Sequence, residues 1–357
     1  MRRKAVTIKE VAKLAGVSTT TVSYVINKTG FLTEQTRAKV LKVINELGYR
    51  PNIVARSLRS RKTGTVGLIV CDLRNPFFSE VLQGIETYLG EKKYSLIVTN
   101  TDYDNDKEKE SIDMFYNKQV DGIIIVPGEN TNKHVKFLTE RNIPVVLLDK
   151  KIQNLNVDAV LVNNIEGSRK LTEHLIGLGH KRIGIITGSL NSTTGKERLE
   201  GYLKALRAHS IPEDNDLIKV GDFKKESGYL LALELISLIL PPTVIFACNN
   251  LLGLGVMQAL KEKEIRVPEE IGLVMFDELP WFSYVSPSLT GVAQPSFQLG
   301  ETAGRLLFEQ MRKRRRRPKE VVLDVQLKIR ESAGEAFNVK VSPSEKEKEA
   351  KNKAEGR

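Results

Sequence analysis

Residues 7–24, TIKEVAKLAGVSTTTVSY, decide the fold of the amino-terminal part of the chain. Thr7 and Glu10 have the spacing of a capping box, in which a hydroxyl and a carboxylate satisfy the first backbone N–H groups of a helix. Gly16 interrupts the apolar periodicity, and Ser18 then provides the cap of a second helix. Two short helices joined by a glycine-containing turn predict a helix-turn-helix unit.

A third helix and a strong positive charge surround this stretch. Thr33 is placed to cap a longer apolar pattern that Gly48 ends. Residues 1–62 carry 14 basic and 3 acidic residues, and the difference of +11 equals the net charge of the whole chain. A cationic head on an otherwise neutral body is typical of a nucleic-acid-binding module joined to a second domain.

The second helix has a polar face opposite its apolar one. Hydroxyl groups and a phenol on such a face reach base edges or phosphates when the helix lies in the major groove. A solvated face on an ordinary small domain is the alternative, which the concentrated positive charge disfavours. The side chains on this face are Thr19, Thr20, Ser23 and Tyr24.

Residues 7–24, together with GYRPN at 48–52 and ARSL at 55–58, closely resemble the LacI/GalR family of bacterial transcription regulators. The resemblance extends from Thr7 to about Gly334. It implies base reading by Thr19, Thr20 and Tyr24 and further DNA contacts by Thr7, Ser18, Thr21, Ser23, Asn27, Asn52, Ala55, Arg56 and Leu58. Many members have arginine where this chain has Tyr24, so their operator half-site does not transfer.

The segment 51–62 links this DNA-binding domain, residues 1–50, to the rest of the chain. Pro51 breaks the preceding helix, and the apolar stretch that follows is too short to form a stable helix alone. The resemblance implies a hinge helix that pairs across a dimer in the minor groove, with Leu58 wedged between base steps. On the residues alone, a basic flexible linker is the alternative.

Beyond residue 62, short apolar runs alternate with amphipathic helical segments. This alternation predicts an α/β fold with parallel sheets and helices on both faces, and there are enough strands for two sheets. The main predicted strands begin at Thr65, Ser95, Asp121, Ile143, Arg182, Val244 and Ile271. The resemblance implies a two-lobed sensor domain over 63–334, similar to a type I periplasmic-binding protein. A disordered charged tail is expected at 335–357.

The same resemblance implies that the chain crosses between the two lobes three times. The crossings are expected near Asn163, Gly291 and Val322. The expected N-lobe comprises about 63–162 and 292–321, and the expected C-lobe comprises about 163–291 and 322–334. Ligands of such folds bind beyond the carboxyl ends of the strands, in the cleft between the lobes.

Polar and aromatic side chains near the predicted strand ends form the candidate effector site. Arginine supplies a fixed fork of donors and aspartate accepts from paired hydroxyls, so a sugar is the expected effector. The candidates are Asn75, Phe77, Phe78, Asp149, Thr194, Arg198, Phe223, Asn249, Asn250 and Asp277. The structural alternative is that the aspartates cap helices and that the aromatic side chains belong to the core.

Departures from the family pattern leave other effectors open. Asn250 stands where the family usually has aspartate, which removes one negative charge from the cleft, and Arg74 favours an anionic ligand or a pair with Asp72. A nucleobase effector is one alternative to a sugar. Residues 92–95 and 100–107 also resemble the catabolite-control branch, whose co-regulator is a phosphorylated carrier protein, so such a protein partner is another.

Several classes of protein are excluded. No apolar run is long enough to span a membrane, and the basic start lacks the apolar core of a signal peptide, so the protein is expected in the bacterial cytoplasm, at the nucleoid when it is bound to DNA. Cys71 and Cys248 lie in apolar runs and are expected to be reduced. The four histidines and the lack of a CxxC pair predict no metal site.

Neither an enzyme nor a cofactor is expected. Gly195-Lys196 lacks the first glycine and the Ser/Thr of a phosphate-binding loop, and no catalytic pair or triad stands out. A sugar-modifying enzyme that also binds nucleic acid is the rival hypothesis, and it would require such a pair. A nonspecific nucleic-acid-binding protein, suggested by the basic run 312–317, is a second rival. The tail lacks a long leucine heptad, which favours a homodimer bound to a palindromic operator.

Overall fold

The structure, a computed structural model, describes residues 6–50, 62–129, 131–312 and 317–335. The chain divides into two compact units, Met1–Gly64 and Thr65–Arg357. Four predicted DNA contacts, Asn52, Ala55, Arg56 and Leu58, lie outside the described residues, as do most of the basic run and the tail from 336 to 357. Within the described part of the chain, no helix is long and apolar enough to cross a bilayer.

The first unit contains three helices: α1 (Ile8–Ala15), α2 (Thr19–Asn27) and α3 (Glu34–Leu47). Thr33 caps α3 by accepting the backbone N–H of Thr36, and Gly48 ends it with a φ of +57°. The core consists of small apolar side chains, namely Val11, Ala12, Ala15, Val22, Val25, Val40 and Val43. The predicted helix-turn-helix with its third helix is confirmed.

The second unit alternates strands with helices. The strands are β1 (Thr65–Val70), β2 (Ser95–Asn100), β3 (Gly122–Ile125), β4 (Val145–Leu148), β5 (Asp158–Val162), β6 (Ile183–Thr187), β7 (Ile218–Val220), β8 (Val244–Ala247), β9 (Gly272–Phe276), β10 (Thr290–Ala293), β11 (Glu320–Leu323) and β12 (Gln326–Lys328). The helices are α4 (Pro76–Glu91), α5 (Asn105–Asn117), α6 (Asn132–Glu140), α7 (Asn164–Gly177), α8 (Thr193–Ala208), α9 (Lys225–Ile236), α10 (Asn250–Glu262) and α11 (Ser296–Arg312).

These strands form two six-stranded sheets, one in each lobe. The N-lobe sheet has the order β11-β5-β4-β3-β1-β2 and the C-lobe sheet has the order β12-β10-β9-β8-β6-β7. All neighbouring strands are parallel except β10 and β12. The central strands are buried on both faces, as parallel strands covered by helices must be. The predicted α/β fold with two parallel sheets is therefore confirmed.

Two strands run slightly past the approximate positions expected for the lobe crossings. β10 continues to Ala293 in the C-lobe sheet, so the chain leaves this lobe after Ala293 rather than at Gly291. β11 pairs with β5 as far as Leu323, so Val322 still belongs to the N-lobe sheet. In both strands the hydrogen bonds to the neighbouring strand continue past the expected crossing. The pattern of apolar residues alone does not show where this pairing ends.

Candidate functional site

Helix caps hold α1 and α2 in a defined relation. Thr7 and Glu10 form the predicted capping box, in which the Glu10 carboxylate accepts the Thr7 backbone N–H at 2.7 Å and Thr7 accepts the Glu10 N–H at 3.4 Å. Gly16 ends α1 in the left-handed region with a φ of +62°. Ser18 accepts the backbone N–H of Thr21 at 3.1 Å and so begins α2. Thr7 and Ser18 thus orient the helices in addition to any contact with DNA.

The outer face of α2 exposes the side chains predicted to read bases. Thr19 and Thr20 are exposed, and their hydroxyl groups have no hydrogen-bond partner among the described residues. Tyr24 is 44% exposed, and its ring rests on Gly30, where a Cβ atom would lie 2.9 Å from Cδ2 of the ring. Gly30 has a φ of +77°, so both its conformation and its neighbour require glycine. This role of Gly30 was not predicted from the sequence.

Two further predicted DNA contacts are partly engaged within α2. Asn27 donates to the backbone carbonyl of Ser23 at 2.9 Å and lies 3.2 Å from its hydroxyl oxygen. Ser23 is half-buried, whereas Asn27 remains exposed. The exposed lysines Lys9, Lys13 and Lys28 add positive charge to the same unit. The face as a whole offers hydroxyl donors surrounded by cations, which is the chemistry that a DNA groove and its phosphates accept.

In the second unit, residues in the left-handed backbone region gather at the carboxyl ends of four strands. Asp102 and Tyr103 follow β2 with φ values of +52° and +63°. Asp149 follows β4 at +65°, Phe223 follows β7 at +68°, and Asp277 follows β9 at +67°. Such conformations cost non-glycine residues of the order of 1–3 kcal/mol and concentrate at ligand sites. The strand ends of both lobes therefore point to the cleft as a functional site.

Arg198 lies below this cleft, in the second turn of α8, and is 2% exposed. Its Nε donates to Oδ1 of Asn164 at 2.9 Å and its Nη1 donates to the backbone carbonyl of Cys248 at 2.5 Å. Its Nη2 lies 3.5 Å from the Asp277 carboxylate, and the guanidinium group covers the ring of Phe276 at 3.8 Å. These contacts hold the guanidinium group in place on several sides.

The two predicted aspartates are buried near this arginine. Burial raises the pKa of Asp149 to about 6, although the charges of Lys150 and Arg198 act in the opposite direction. Burial also raises the pKa of Asp277, against the effects of Arg198 and of a 2.5 Å hydrogen bond from Gln294. Both carboxyl groups are therefore more easily protonated in the folded protein than in water.

The raised pKa of Asp149 makes stability depend on pH. The folded state holds the Asp149 proton more tightly than the unfolded state, whose carboxyl titrates near the ordinary value of about 3.9. Between about pH 4 and pH 6 the folded state binds more protons, so this group lowers the unfolding free energy as the pH rises. We expect Asp149→Asn to remove this slope, and urea unfolding of the full chain at several pH values measures it.

The Asp149→Asn variant should gain stability relative to the unsubstituted chain as the pH rises from 4 to 7. The expected gain is at most about 3 kcal/mol, at about 1.4 kcal/mol for each pKa unit. Asp113→Asn, at an exposed position on α5, is the matched control and should leave the slope unchanged. Parallel curves for the Asp149 variant and the unsubstituted chain would show that the Asp149 carboxyl does not titrate differently on folding.

The asparagines of the site connect the lobes. Asn249 begins α10 by accepting the Leu252 N–H at 2.7 Å, and its amide donates to the backbone carbonyl of Phe223 at 3.0 Å. Asn250 donates to Oδ1 of Asn75, in the other lobe, at 2.9 Å. Asn75 already accepts the N–H of its own helix, so the group that faces it must be a donor. This explains an asparagine rather than an aspartate at position 250.

Three predicted effector contacts are occupied by packing or by a local hydrogen bond. Phe77 and Phe78 are 3% exposed and pack in the N-lobe core, edge to face with each other at 5.0 Å. They fill the core because both lie in the first turn of α4, on the side that covers the sheet. Thr194 is buried and forms a hydrogen bond with Ser192 at 2.8 Å. In this arrangement the two phenylalanines belong to the core, which is the structural alternative for the aromatic side chains.

A cavity of about 640 Å³ opens between the lobes. Of the predicted effector contacts, Phe223 alone lines it, because the others lie deeper. The remaining lining residues were not predicted from the sequence. Among them are Asp102, Tyr103, Glu129, Lys150, Lys151, Ser189, Asn191, Lys196, Asp222 and Lys224. Their positions at strand ends were the available signal.

Hydrogen bonds across the cleft hold the lobes together beside this cavity. Glu129 of the N-lobe accepts from Ser189 at 2.5 Å and from Asn191 at 3.2 Å, both in the C-lobe. The backbone N–H of Lys151 donates to the hydroxyl of Thr193 at 3.1 Å. These contacts, together with that between Asn75 and Asn250, would change if the lobes rotated. A ligand between the lobes can therefore favour one lobe orientation over another.

Comparison with known proteins connects both units to one family. Residues 7–52 match the model of bacterial regulatory proteins of the lacI family, and residues 172–333 match a periplasmic binding protein-like domain. The HTH-type transcriptional repressor PurR of Pasteurella multocida is 38% identical over 91% of this chain and 98% of its own length.

Two solved structures share the fold over nearly the whole chain. The transcriptional regulator CelR in complex with cellobiose is 31% identical, with a TM-score of 0.71 over 92% of this chain and 99% of its own. The lac repressor dimer bound to operator and the anti-inducer ONPF is 26% identical, with a TM-score of 0.80 over 93% of this chain and 100% of its own. This chain therefore belongs to the lacI family of bacterial regulatory proteins, and it is a DNA-binding transcriptional repressor rather than an enzyme.

Proposed function

We propose that this repressor binds a palindromic operator as a homodimer and that a small molecule between the lobes controls its affinity for DNA. The observation that carries the first part is the outer face of α2, where Thr19, Thr20 and Tyr24 are exposed in a strongly basic unit. By this proposal α2 lies in the major groove and the segment 51–62 contacts the minor groove. Such a protein works at the nucleoid.

An apolar surface on the second unit supports the homodimer. Leu254 and Trp281 are 42% and 44% exposed, and they line one shallow apolar cavity together with Met257 and Phe282. Tyr284, which follows nearby in the chain, is 87% exposed. We assign this surface to a second copy of the chain, because the similar lac repressor structure is described as a dimer bound to operator. Two-fold symmetry then requires a palindromic operator, and the solution mass of the full chain tests the assignment.

The interlobe cavity supports control by a small molecule. Its volume of about 640 Å³ is in the range of ligand pockets, and Arg198, Asp149 and Asp277 lie beneath it. A sugar is the first candidate, since the similar regulator CelR is described with cellobiose. A flat ring such as a nucleobase is the second, because Tyr103 and Phe223 stack in parallel at 6.3 Å beside the cavity. A phosphorylated carrier protein is the co-regulator to test if no small molecule binds.

Control of DNA binding follows from a difference in affinity between two lobe orientations. A ligand that binds one orientation more tightly shifts the population toward it, and the paired DNA-binding domains of a dimer respond to the same shift. The contacts of Glu129 with Ser189 and Asn191 are among those that would differ between the two orientations.

We expect the double substitution Thr19→Ala/Thr20→Ala to weaken specific DNA binding by at least about tenfold, because each lost base contact costs about 1–3 kcal/mol. Binding to scrambled DNA should hardly change, since phosphate contacts dominate it. Fluorescence anisotropy measures both affinities, with a duplex selected from a random pool by the full chain.

Thr29→Ala is the matched control for this experiment. Thr29 is also an exposed threonine, but it follows α2 rather than lying on its outer face. The control should retain full specific affinity. If the double variant binds the selected duplex as tightly as the unsubstituted chain does, α2 is not the base-reading element. If the unsubstituted chain binds scrambled DNA equally well, the protein is not a specific repressor.

A further inference from the structure

Three side chains form a layer between the open cavity and the buried polar residues below it; we call Tyr103, Lys150 and Phe223 the sealing layer. The rings of Tyr103 and Phe223 lie 6.3 Å apart with an interplanar angle of 12°. The Lys150 ammonium lies 4.9 Å from the Tyr103 ring centre and 5.4 Å from that of Phe223. All three line the cavity, whereas Arg198 and Asp277 do not. A ligand that enters from the cavity therefore meets this layer first.

Lys150 is a buried cation that forms no ion pair in the described residues, although its charge acts on the neighbouring Asp149. It is 7% exposed, and its ammonium donates to the sulfur of Cys71 at 3.6 Å. Burial raises the pKa of that thiol to about 11, so the sulfur is neutral at physiological pH. No carboxylate of the described residues lies within 4.0 Å of the ammonium, although buried charges are ordinarily paired. Among the described residues the contact with Cys71 is the one hydrogen bond of the ammonium, so two of its three N–H donors are available to a ligand in the adjoining cavity.

The carboxylates around the cavity are already engaged. Asp102 accepts from Arg74 at 2.8 Å and lies 3.8 Å from the Lys224 ammonium. Glu129 accepts from the opposite lobe, and Asp222 accepts from Ser227 at 2.6 Å. Lys151 pairs with Glu320 at 2.5 Å.

Two lysines at the cavity therefore lack a carboxylate partner in the described part of the chain: the buried Lys150 and the exposed Lys196. The buried Lys150 would gain most from an anionic ligand, because an ammonium attracts negative charge more strongly where water is partly excluded. A neutral sugar supplies no such charge. Lys150 is the one of the two that burial places next to the cavity floor, so it is the cation that an anionic group would meet there.

Tyr103 lies in a strained backbone conformation next to the cavity. Asp102 and Tyr103 both have positive φ, which is unfavourable for a bulky side chain. Displacement of the tyrosine ring uncovers the face of Phe223, which Asn249 holds in place through its backbone carbonyl. A flat ring of another molecule can then stack on Phe223 where Tyr103 stacked.

We propose that the effector is a flat ring that carries an anionic group, that the ring replaces Tyr103 on Phe223, and that Lys150 binds the anion. This inference rests on the proposed function, namely that the cavity is the effector site. It makes Lys150 and Tyr103 the residues that determine which ligand is accepted. A neutral sugar lacks both the flat face and the charge that the sealing layer requires.

The experiment uses the full chain and matched pairs of probes in titration calorimetry. The anionic probes are orotate and inosine 5′-monophosphate, their neutral partners are uracil and inosine, and glucose with glucose 6-phosphate represents sugars. We expect at least one flat anion to bind ten times more tightly than its neutral partner and more tightly than either sugar. Equal binding within both flat pairs, or preferential binding of a sugar, would overturn the proposal.

Two variants and a control test the roles of the sealing layer. Lys150→Met keeps the length of the side chain and should abolish the preference for the anion. The control is Lys219→Met, at a half-buried lysine that pairs with Glu234 at 3.0 Å and does not line the cavity, and it should retain the preference. Tyr103→Ala should raise the affinity for the flat anion, since no ring must be displaced. Unchanged preference in Lys150→Met, or weaker binding in Tyr103→Ala, contradicts the proposal.

The outcomes separate this inference from the proposed function. A neutral sugar that binds, alters operator affinity and is unaffected by Lys150→Met overturns the inference and leaves the proposed function intact. If none of the six probes binds while the chain still binds its selected duplex, both the inference and control by these small-molecule classes fail. The DNA-binding role is tested independently by the variants of α2.

Discussion

The variant Arg198→Met is expected to lose the response to effector and roughly 3–5 kcal/mol of the unfolding free energy. Its guanidinium group is buried and touches Asn164, the carbonyl of Cys248 and the Asp277 carboxylate. Methionine fills similar space but leaves Asp277 without its cation in a site from which water is excluded. The loss follows from an uncompensated buried charge rather than from a cavity.

Urea unfolding and effector-dependent DNA binding measure the two expected effects. Arg198→Met/Asp277→Asn should recover part of the stability, because it also removes the orphaned carboxylate, but it should not recover the effector response. The control is Arg266→Met, whose ion pair with Glu270 is on the surface and contributes about 0–1 kcal/mol. A variant at position 198 that unfolds and responds like the unsubstituted chain would remove Arg198 from the site.

Local features of the structure were predictable from the sequence because neighbouring residues determine them. The capping box of Thr7 and Glu10 and the cap at Ser18 depend on spacings of three residues, and both are present. The strands β1 and β2 begin and end where the apolar runs do. Their alternation with helices was enough to predict two parallel sheets.

The site was predictable only in part, because it depends on contacts between distant segments. Strand ends and family resemblance pointed to Asp149, Arg198 and Asp277, which the structure brings together in the C-lobe and across the cleft. Tyr103 and Lys150 were missed, since nothing near them in the chain shows that they meet Phe223. Tyr103 has a positive φ and Lys150 closely follows the end of β4. These features indicate a shared site only once the order of the strands in the sheets is known.

The packing of α4 against α11 could not be predicted from the sequence either, because about two hundred residues separate the two helices. At their crossing, a Cβ atom on Gly300 would lie 1.9 Å from the carbonyl oxygen of Val81. A Cβ atom on Gly84 would lie 2.0 Å from the carbonyl oxygen of Phe297. The two backbones touch where each helix has a glycine, and each glycine makes room for the other helix.

We therefore expect Gly300→Ala to destabilise the second unit by about 3 kcal/mol or more, the upper range for overpacking, because the obstacle is backbone that cannot rotate away. Gly304→Ala, one turn later on the same helix, is the matched control. Its nearest neighbours, side-chain atoms of Leu89 and Tyr88, would lie at 3.5 Å, so alanine fits. There the better helix propensity of alanine should be neutral or stabilise by up to about 1 kcal/mol.

Thermal unfolding of the full chain measures the stability of both glycine variants, and the prediction is tested by the difference between them. Equal stability of Gly300→Ala and Gly304→Ala would mean that the helices separate without cost. The loss of stability in Gly300→Ala should also affect function, because α11 connects β10 of the C-lobe to the N-lobe. If α11 is displaced from α4, the lobes lose the rigid support on which a ligand-dependent change of orientation depends, so Gly300→Ala should also weaken coupling between effector and DNA at temperatures where it remains folded.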